Sequence, residues 1–387
     1  MSLFNPASGL AFPANLPDVT FADADPAPIL ARLIANYEAL TGKKIYPADP
    51  ERLWLSTSAY ELSVAYSLLD FTGKQNLLAY ACGAFLDQLG AWHEVTRLAA
   101  SAASCMQRFF AEPGLDFSVT LPKGLRVSPD NELYFEIAAT VIIPAAQSPS
   151  EQPFADAAVV CLSPGEAGNG FLPGQISTLV DPRPYVAETR NITESTGGAD
   201  VESDERFRLR IYLAPAGFST AGPIGAYQYW AMTASQTISD VAVLSPEPCE
   251  IKVYPLVEGG VLPDALLLEA VADLLSPRKV RPMGDRLAVL APEAVHYDIS
   301  ATYYLHEDDR SRAESLQKAV SAAVDEYSAW QRQRLGRDIV PEQLSARVLA
   351  AGAKRINIES PVFTVVTDSQ VALPAAVNLS FGGFERA

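Results

Sequence analysis

FSVTLPKGLRVSPDNELYFEIAATVIIPA, residues 117–145, marks a change in the character of this chain of 387 residues. Apolar and polar side chains alternate along it, and turn signals interrupt it at 122–124 and 129–131. Short alternating segments of this kind are typical of the strands of a small sandwich or barrel. Residues 156–180 continue the pattern through a connection rich in Gly and Pro. The sequence therefore predicts a β-rich module at 113–196.

The chain upstream of this module reads as helical. Residues 1–27 are rich in Pro, Ala and Asp and are expected to form an extended arm. A helical periodicity follows and is expected to end at Gly42. A second helix is predicted to begin at Pro50, with Asp49 as its N-cap. We assign residues 1–112 to an N-terminal arm and helical region.

A heptad pattern is the most regular feature of this helical region. From residue 64 to residue 92, apolar residues recur at steps of three and four, as in the seam of a coiled coil. A helix packed inside its own domain shows the same stripe, so both interpretations stay open. The length of the stripe and its one polar position favour docking to a partner helix, although Gly73 and Gly90 weaken the helix. The candidate interface residues are Val64, Leu68, Phe71, Gln75, Leu78, Cys82, Phe85 and Leu89, and the pattern runs on to Trp92.

Downstream of the module, residues 197–387 alternate between strand and helix patterns. Two successive strand–helix units, at 249–276 and 294–330, look like a repeated arrangement. The last predicted strands are KRINIES, FTVVT and AVNLSF, at 354–360, 363–367 and 376–381. The fold class predicted for the whole chain is α+β and multidomain. It comprises N-terminal helices, an inserted β-rich module, and a C-terminal α+β region with repeated strand–helix units.

One stretch of the C-terminal region is open to several interpretations. GFSTAGPIGAYQYWAMTAS, residues 217–235, leads from turn residues and Gly222-Pro223 into an aromatic helix. Such a stretch can cradle a phosphate, stack a base or sugar, or pack two elements closely. As a helix start, it would have Gly222 as the N-cap and Pro223 at the first helical position.

Composition excludes several classes of function. The formal net charge of −17 opposes binding to nucleic acid or to anionic lipid. The four cysteines are far apart and only three histidines are present, so no metal or cofactor site is predicted. The N-terminus does not read as a signal peptide and no window is long and apolar enough for a membrane span, so we expect a soluble chain folded in a cytoplasm.

Catalytic motifs are equally scarce. The sequence contains no GxSxG and no HExxH. The glycine-rich residues 163–174 lack the Lys-Ser/Thr of a phosphate loop, and they precede strand-like sequence. The acidic run HEDDR at 306–310 directly precedes a predicted helix, where the helix dipole favours carboxylates without a metal. We therefore predict that the chain is not an enzyme.

Several stretches, in order along the chain, resemble the baseplate protein J family of contractile phage tails and related injection systems. Two of them, GAYQYWA at 225–231 and RLGRDI at 334–339, are specific. The resemblance begins at residue 83, and residues 1–60 match little of the family. The stretches that carry it are GAFLDQLGAWHEVTR (83–97), SPGEAGNGFLPGQISTLVDP (163–182), TGGADVESDERFRLRI (196–211), residues 217–235, RPMGDRLAVLAP (281–292) and RLGRDIVPEQLSARVLAAGAKRINIESP (334–361).

The resemblance implies a structural role in a tail baseplate. A member of this family is expected to be a wedge subunit that pairs through its N-terminal helices and closes a sixfold ring around the tail tube. Its expected partners are other wedge subunits, further copies of itself, and sheath and tube-end proteins. Its expected location is the virion tail baseplate, or an equivalent injection particle, assembled in the host cytoplasm. The resemblance also makes residues 217–235 a packing element.

The competing interpretation is a tail-associated hydrolase or carbohydrate-binding adhesin that uses the β-rich module. An adhesin should display aromatic side chains on its β face, for stacking on sugars. The module offers few of them, and three of the four sit in strand-like alternation. They are Phe117, Tyr134, Phe135 and Phe154.

Overall fold

The chain is a multidomain α+β protein, as its sequence predicts. The computed structural model describes residues 12–13, 16–219, 221–277, 280–282 and 284–386. By its internal contacts the chain divides into two compact units. The helical unit comprises residues 11–97 and 203–215, and the second unit contains residues 98–202 and 216–387.

The helical unit contains α1 to α3 and most of α4. The Asp25 side chain accepts a hydrogen bond from the N–H of Ala27 at the start of α1, and Gly42 ends this helix with a left-handed φ of 70°. Asp49 is the N-cap of α2 and Pro50 is its first residue, so the predicted start of the second helix and the predicted end of the first helix at Gly42 are confirmed. The helices are α1 Pro26–Thr41, α2 Pro50–Lys74, α3 Gly83–Trp92 and α4 Asp204–Gly217.

The prediction of one continuous helical seam over residues 64–92 is wrong. The chain leaves the helix after Lys74, turns over residues 75–82 and enters α3 at Gly83. Gly73 and Asn76 lie at this turn, and neither residue type favours a helix interior. The heptad spacing of the sequence runs on through this turn, although the helix does not.

The β-rich module forms a nearly closed barrel. Its main sheet has the order β7-β3-β4-β6-β1-β8, and β2 pairs with β5 separately. The inward faces of the strands supply a core that includes Phe109, Val127, Phe135 and Val159. The sheet starts at Ser104, before the predicted boundary at residue 113, and the division at 1–112, 113–196 and 197–387 stays a prediction. The strands are β1 Ser104–Ala111, β2 Val119–Leu121, β3 Arg126–Ser128, β4 Phe135–Ile137, β5 Val141–Ile143, β6 Phe154–Cys161, β7 Thr178–Leu179 and β8 Val186–Asn191.

The remaining chain builds two three-stranded sheets, each with helices. The first has the order β11-β10-β9 and the second the order β13-β12-β14, with β12 parallel to β14 and antiparallel to β13. Helix α6 follows β10 and α7 follows β12, so both predicted strand–helix units are present. The elements are α5 Ile224–Ala234, β9 Ile238–Leu244, β10 Glu250–Val257, α6 Ala265–Leu275, β11 Arg286–Val289, β12 Glu293–His306, α7 Ala313–Arg332, α8 Pro341–Ala350, β13 Arg355–Ser360 and β14 Gln370–Glu385.

One predicted strand is absent from the second sheet. Residues 363–367 form a single bridge, between Thr364 and Ile339, and no strand. The predicted strand at 376–381 is part of β14, which is 16 residues long.

Candidate functional site

Helix α2 presents a stripe of exposed apolar side chains. They recur at steps of about one or two helical turns, so they share one side of the helix. Leu68, for example, is 64% exposed. Leu55 and Ala59, which are buried, lie about half a turn round the helix from the stripe. The exposed members on α2 are Leu53, Tyr60, Val64, Leu68 and Phe71.

The stripe continues from α2 onto α3 despite the break between them. The rings of Phe71 and Phe85 meet edge to face, with centroids 6.2 Å apart. Both rings remain substantially exposed. Together with the five residues of α2, Phe85 completes a surface that we call the apolar stripe. Four of the eight predicted interface residues, Val64, Leu68, Phe71 and Phe85, therefore lie on one surface.

The other four predicted residues lie elsewhere. Gln75 is buried, and its side-chain carbonyl accepts a hydrogen bond of 3.0 Å from the N–H of Cys82. The polar seam position thus closes the α2–α3 turn and does not face outward. Cys82 is the exposed N-cap of α3, and Leu78 and Leu89 are half-buried. Whether any of the eight residues contacts a partner stays a prediction.

Leu78 and Leu89 line a cavity of about 380 Å³ beside α3. Its rim includes Trp92, which is 86% exposed, and His93. Asn76 and Ile211 complete the lining. The cavity is open and mainly apolar, so it suits an apolar side chain from outside better than a charged ligand.

An arginine from α4 holds the turn that carries these residues. The Arg208 guanidinium donates to the carbonyl oxygens of Leu78 and Ala81, at 2.8 Å each. These two carbonyls belong to the turn that follows α2, so the contact with Arg208 fixes the path of the chain there. The break in the predicted seam is therefore built into the fold.

A second set of contacts ties α3 to α4. Arg97 pairs with Asp87 and with Asp204, at 2.8 Å each, and its guanidinium lies over the Phe207 ring. The N–H of Gly83 donates to Asp204 at 2.9 Å. The pKa of Asp204 is lowered from its ordinary value of 3.8, first by the Gly83 N–H and then, against the opposing effect of burial, by Arg97. This cluster joins two of the stretches that resemble the family, 83–97 and 196–211.

Residues 217–235 act as a packing element. Pro223 is the N-cap of α5 rather than its first residue, and Gly222 precedes it with a φ of 75°. The buried Tyr227 hydroxyl hydrogen bonds to Asp285, which raises the pKa of Tyr227 together with the larger effect of burial. A Cβ on Gly222 would lie 3.0 Å from Pro282. The stretch thus packs on Pro282 and Asp285, which belong to another stretch that resembles the family, and Tyr229 is also buried.

The two loops that could have held a ligand, 163–174 and 306–310, form hydrogen bonds and ion pairs within the chain. Asn169, within 163–174, exchanges two hydrogen bonds with Gly198, one from its amide to the Gly198 carbonyl and one from the Gly198 N–H. In the acidic run, Glu307 pairs with Arg310 and Asp309 with Arg312. Within the described residues, no three His, Cys, Asp or Glu side chains are grouped as metal ligands. Burial raises the pKa of the Cys105 thiol to about 11, which disfavours the thiolate that a nucleophile requires.

The exposed aromatic rings of the barrel already have partners within the chain. The Arg108 guanidinium lies 4.1 Å from the centroid of the Phe154 ring, and Phe117 meets Tyr185 edge to face at 5.0 Å. Phe135 is buried in the barrel core. A sugar-binding platform needs free ring faces, so this arrangement gives the adhesin interpretation little support.

None of the helices in the described ranges combines the length and the apolar character needed to cross a bilayer.

Comparison with protein families identifies the class of the chain. Residues 106–198 match the Baseplate J-like protein barrel domain, residues 219–291 the Baseplate J-like central domain, and residues 297–380 the Baseplate J-like protein C-terminal domain. Each match coincides with a sheet system described above, and together they cover more than half of the chain. The chain belongs to the baseplate J family.

Two curated relatives illustrate this membership. The chain is 36% identical over 176 residues to baseplate protein J of Escherichia phage P2, covering 45% of this chain and 57% of the relative. It is 26% identical over 258 residues to the phage-like element PBSX protein XkdT of Bacillus subtilis (strain 168), covering 66% of this chain and 62% of the relative. The chain thus spans less than two thirds of the length of these relatives.

A solved structure is also similar. A chain in the cryo-EM structure of the anti-feeding prophage (AFP) baseplate, 6-fold symmetrised, is 14% identical, with a TM-score of 0.44. The match covers 89% of this chain and 89% of that chain.

Two members of the apolar stripe were not among the residues predicted from the sequence. Leu53 and Tyr60 precede the predicted start at Val64, with the polar Thr57 between them. The steps from Val64 back to Tyr60, Thr57 and Leu53 are four, three and four, so the same periodicity contained the signal.

Proposed function

We propose that this chain is a structural subunit of a contractile-tail baseplate and that it docks other subunits on its apolar stripe. Membership of the baseplate J family supports the setting. In this proposal the N-terminal helices pair with helices of a wedge partner, and contacts among copies close a sixfold ring around the tail tube. Sheath and tube-end proteins are further partners, and the tail assembles in the host cytoplasm.

The apolar stripe is the observation that carries this proposal. Burying a side chain the size of Leu, Val or Phe contributes about 1.5–3 kcal/mol. Six such side chains aligned in a row suit a partner helix, since helices dock in grooves through residues at steps of three and four. Leaving all six in water is costly for the isolated chain, so a covering partner explains their presence.

A non-enzymatic role agrees with the chemistry of the described residues. The loops at 163–174 and 306–310 are used in hydrogen bonds and ion pairs, and the buried Cys105 has a raised pKa. The proposed subunit acts by binding alone, without a cofactor and without nucleic acid. Its charge of −17 fits this assignment, since it opposes adhesion to nucleic acid and to anionic membranes.

An assembly experiment with charge substitutions tests the proposal. Leu68→Asp and Phe85→Asp each place a charge on the stripe, at positions exposed enough for the isolated chain to keep its fold. Ser321→Asp adds the same charge at an exposed serine of α7, outside the helical unit that carries the stripe. The variants replace the natural protein in tail-producing cells, and particles are counted by electron microscopy.

We expect complete tails with Ser321→Asp and a loss of baseplates with both stripe variants. The purified stripe variants should keep the circular dichroism spectrum and melting temperature of the natural protein. Normal tails from cells carrying Leu68→Asp or Phe85→Asp would contradict docking at the stripe.

A further inference from the structure

Strand β14 is an open edge of the C-terminal sheet. It is 16 residues long and pairs with β12 along nearly its whole length. In the described part of the chain, no strand pairs with its other side. Alternate residues of an edge strand turn unpaired N–H and C=O groups outward, which makes the edge a template for a further strand.

This edge lacks the charges that normally protect exposed strands. Residues 370–384 contain no Asp, Glu, Lys or Arg. Natural sheets block their edges with charged side chains, Pro, bulges or a covering element. Here Pro374 and the pair Gly382-Gly383 lie only at the two ends of the open stretch. Between them, every residue from 375 to 381 except Leu379 is exposed. We call residues 375–381 the open window.

The two faces of the open window differ in chemistry. The register places Val377 beside Ile299 and Phe381 beside Tyr303 on β12, so both side chains lie on the face that packs against α7 and α8. They nevertheless stay 47% and 39% exposed. Asn378 and Ser380 lie on the opposite face, as the alternation of a strand requires. The Phe381 ring is held in place by Tyr303, at 5.6 Å, and by Phe384, at 5.3 Å.

We propose that β14 pairs with β14 of a second copy of this chain, antiparallel and centred on Leu379. In that register Val377 of each copy lies opposite Phe381 of the other, which forms the same aromatic and β-branched pair twice. On the other face, Asn378 lies opposite Ser380. Ala376 lies opposite Gly382, where small residues let the strands approach. No like charges oppose each other along the window.

We favour a second copy of this chain as the partner, and not an unrelated strand, because the open window is complementary to itself. A two-fold contact requires one surface to match itself, residue i against j and j against i. The window meets that condition on both faces, apolar against apolar and polar against polar. The contact would join two three-stranded sheets into one of six strands.

Two double variants of the full-length chain test this pairing. Asn378→Lys with Ser380→Lys places like charges opposite each other across the two-fold axis. Asn378→Lys with Ser380→Asp places opposite charges there, twice. Self-association of each purified protein is measured by sedimentation equilibrium over a concentration series, and circular dichroism verifies that it is folded.

We expect the natural protein to dimerise with concentration. The like-charge variant should lower the association constant about tenfold or more, and the opposite-charge variant should restore it. A natural protein that stays monomeric throughout the series would overturn the proposal. Equal loss in both double variants would also overturn it, since pairing with a different strand predicts no rescue.

A disulfide provides a second measurement. With Cys82→Ser and Cys249→Ser removing the exposed thiols, Leu379→Cys places one thiol of each copy at the two-fold axis. Oxidation should then yield a covalent dimer. Val365→Cys, an exposed position outside the strand, is the control and should yield none. Equal yields from the two would count against the register.

The pairing of β14 rests on the proposed function in one respect only, namely that the contact lies inside a baseplate. A β14 dimer whose chain never enters tails would leave the pairing intact and refute the baseplate role. A natural protein that stays monomeric in solution but still builds normal tails would refute the pairing and leave the role intact.

Discussion

Gly90 shows how one residue determines the packing of α3 on α4. A Cβ at this position would lie 2.5 Å from the Phe207 ring and 2.8 Å from the Val95 carbonyl oxygen. Phe207 is fully buried and the carbonyl belongs to the backbone, so neither gives way easily. The sequence suggested only that Gly90 would bend or end a helix. Its packing role depends on a residue more than a hundred positions away.

We expect Gly90→Ala to destabilise the protein by about 1–3 kcal/mol through overpacking. Helix propensity alone predicts the opposite sign, a gain of up to about 1 kcal/mol. Urea unfolding measures the difference, with Gly284→Ala as the control, since a Cβ there meets nothing within 4 Å. A Gly90→Ala protein as stable as the natural one would show that the glycine does not limit the approach of α4.

The lowered pKa of Asp204 predicts that the stability of the folded protein decreases at acidic pH. Its pKa is lowered in the folded chain, so its stabilising contribution is fully present above the ordinary value of 3.8 and is lost as the pH falls toward the folded value. The gap in melting temperature between the natural protein and Asp204→Asn should therefore be widest near neutral pH and should shrink below about pH 4. Scanning calorimetry across that range measures it, and a gap that grows in acid would contradict the assignment.

At the scale of elements, the start of α2 could be predicted from the sequence, whereas the break between α2 and α3 could not. The start of α2 follows from two adjacent residues, Asp49 and Pro50, and the end of α1 follows from Gly42. The turn after Lys74 depends on Arg208, 130 positions from Leu78. Heptad periodicity did not reveal the turn, because the spacing of the apolar residues runs on through residues 75–82. In the same way, β14 could not be placed beside β12 because parallel pairing is non-local.

Gln75→Leu distinguishes the built-in turn from a continuous seam. In a continuous seam, Leu at a polar position would strengthen the association with a partner helix. In this structure the substitution removes the acceptor of the Cys82 N–H, which should lower stability by about 1–3 kcal/mol. Thermal unfolding of the purified variant measures the sign. A higher melting temperature together with tighter association would restore the seam interpretation.

At the scale of the whole molecule, the order of helical, β-rich and α+β regions was predictable from the sequence. The return of residues 203–215 to the helical unit was not, since a short charged helix does not reveal its partner. The barrel is thus an insertion whose ends meet. The Glu202 N–H donates to the Leu98 carbonyl at 3.2 Å, and the Leu98 N–H donates to the Glu202 side chain at 3.0 Å.

We expect residues 98–202 to fold on their own. All members of the barrel core cluster lie within this range, and its ends are already held together. The purified fragment should show a strand-rich circular dichroism spectrum and a single cooperative thermal transition. A fragment that melts without a transition would mean that the barrel needs the rest of the chain.

Photo-crosslinking inside assembled tails measures whether another subunit docks on the apolar stripe. A photoreactive amino acid replaces Leu68 in one strain and the exposed Ser321 of α7 in another, and purified tails are irradiated and analysed by mass spectrometry. We expect crosslinks from position 68 to a helix of another baseplate subunit, and far fewer from position 321. Intact tails in which position 68 crosslinks to nothing, or no more than position 321, would contradict docking on the stripe.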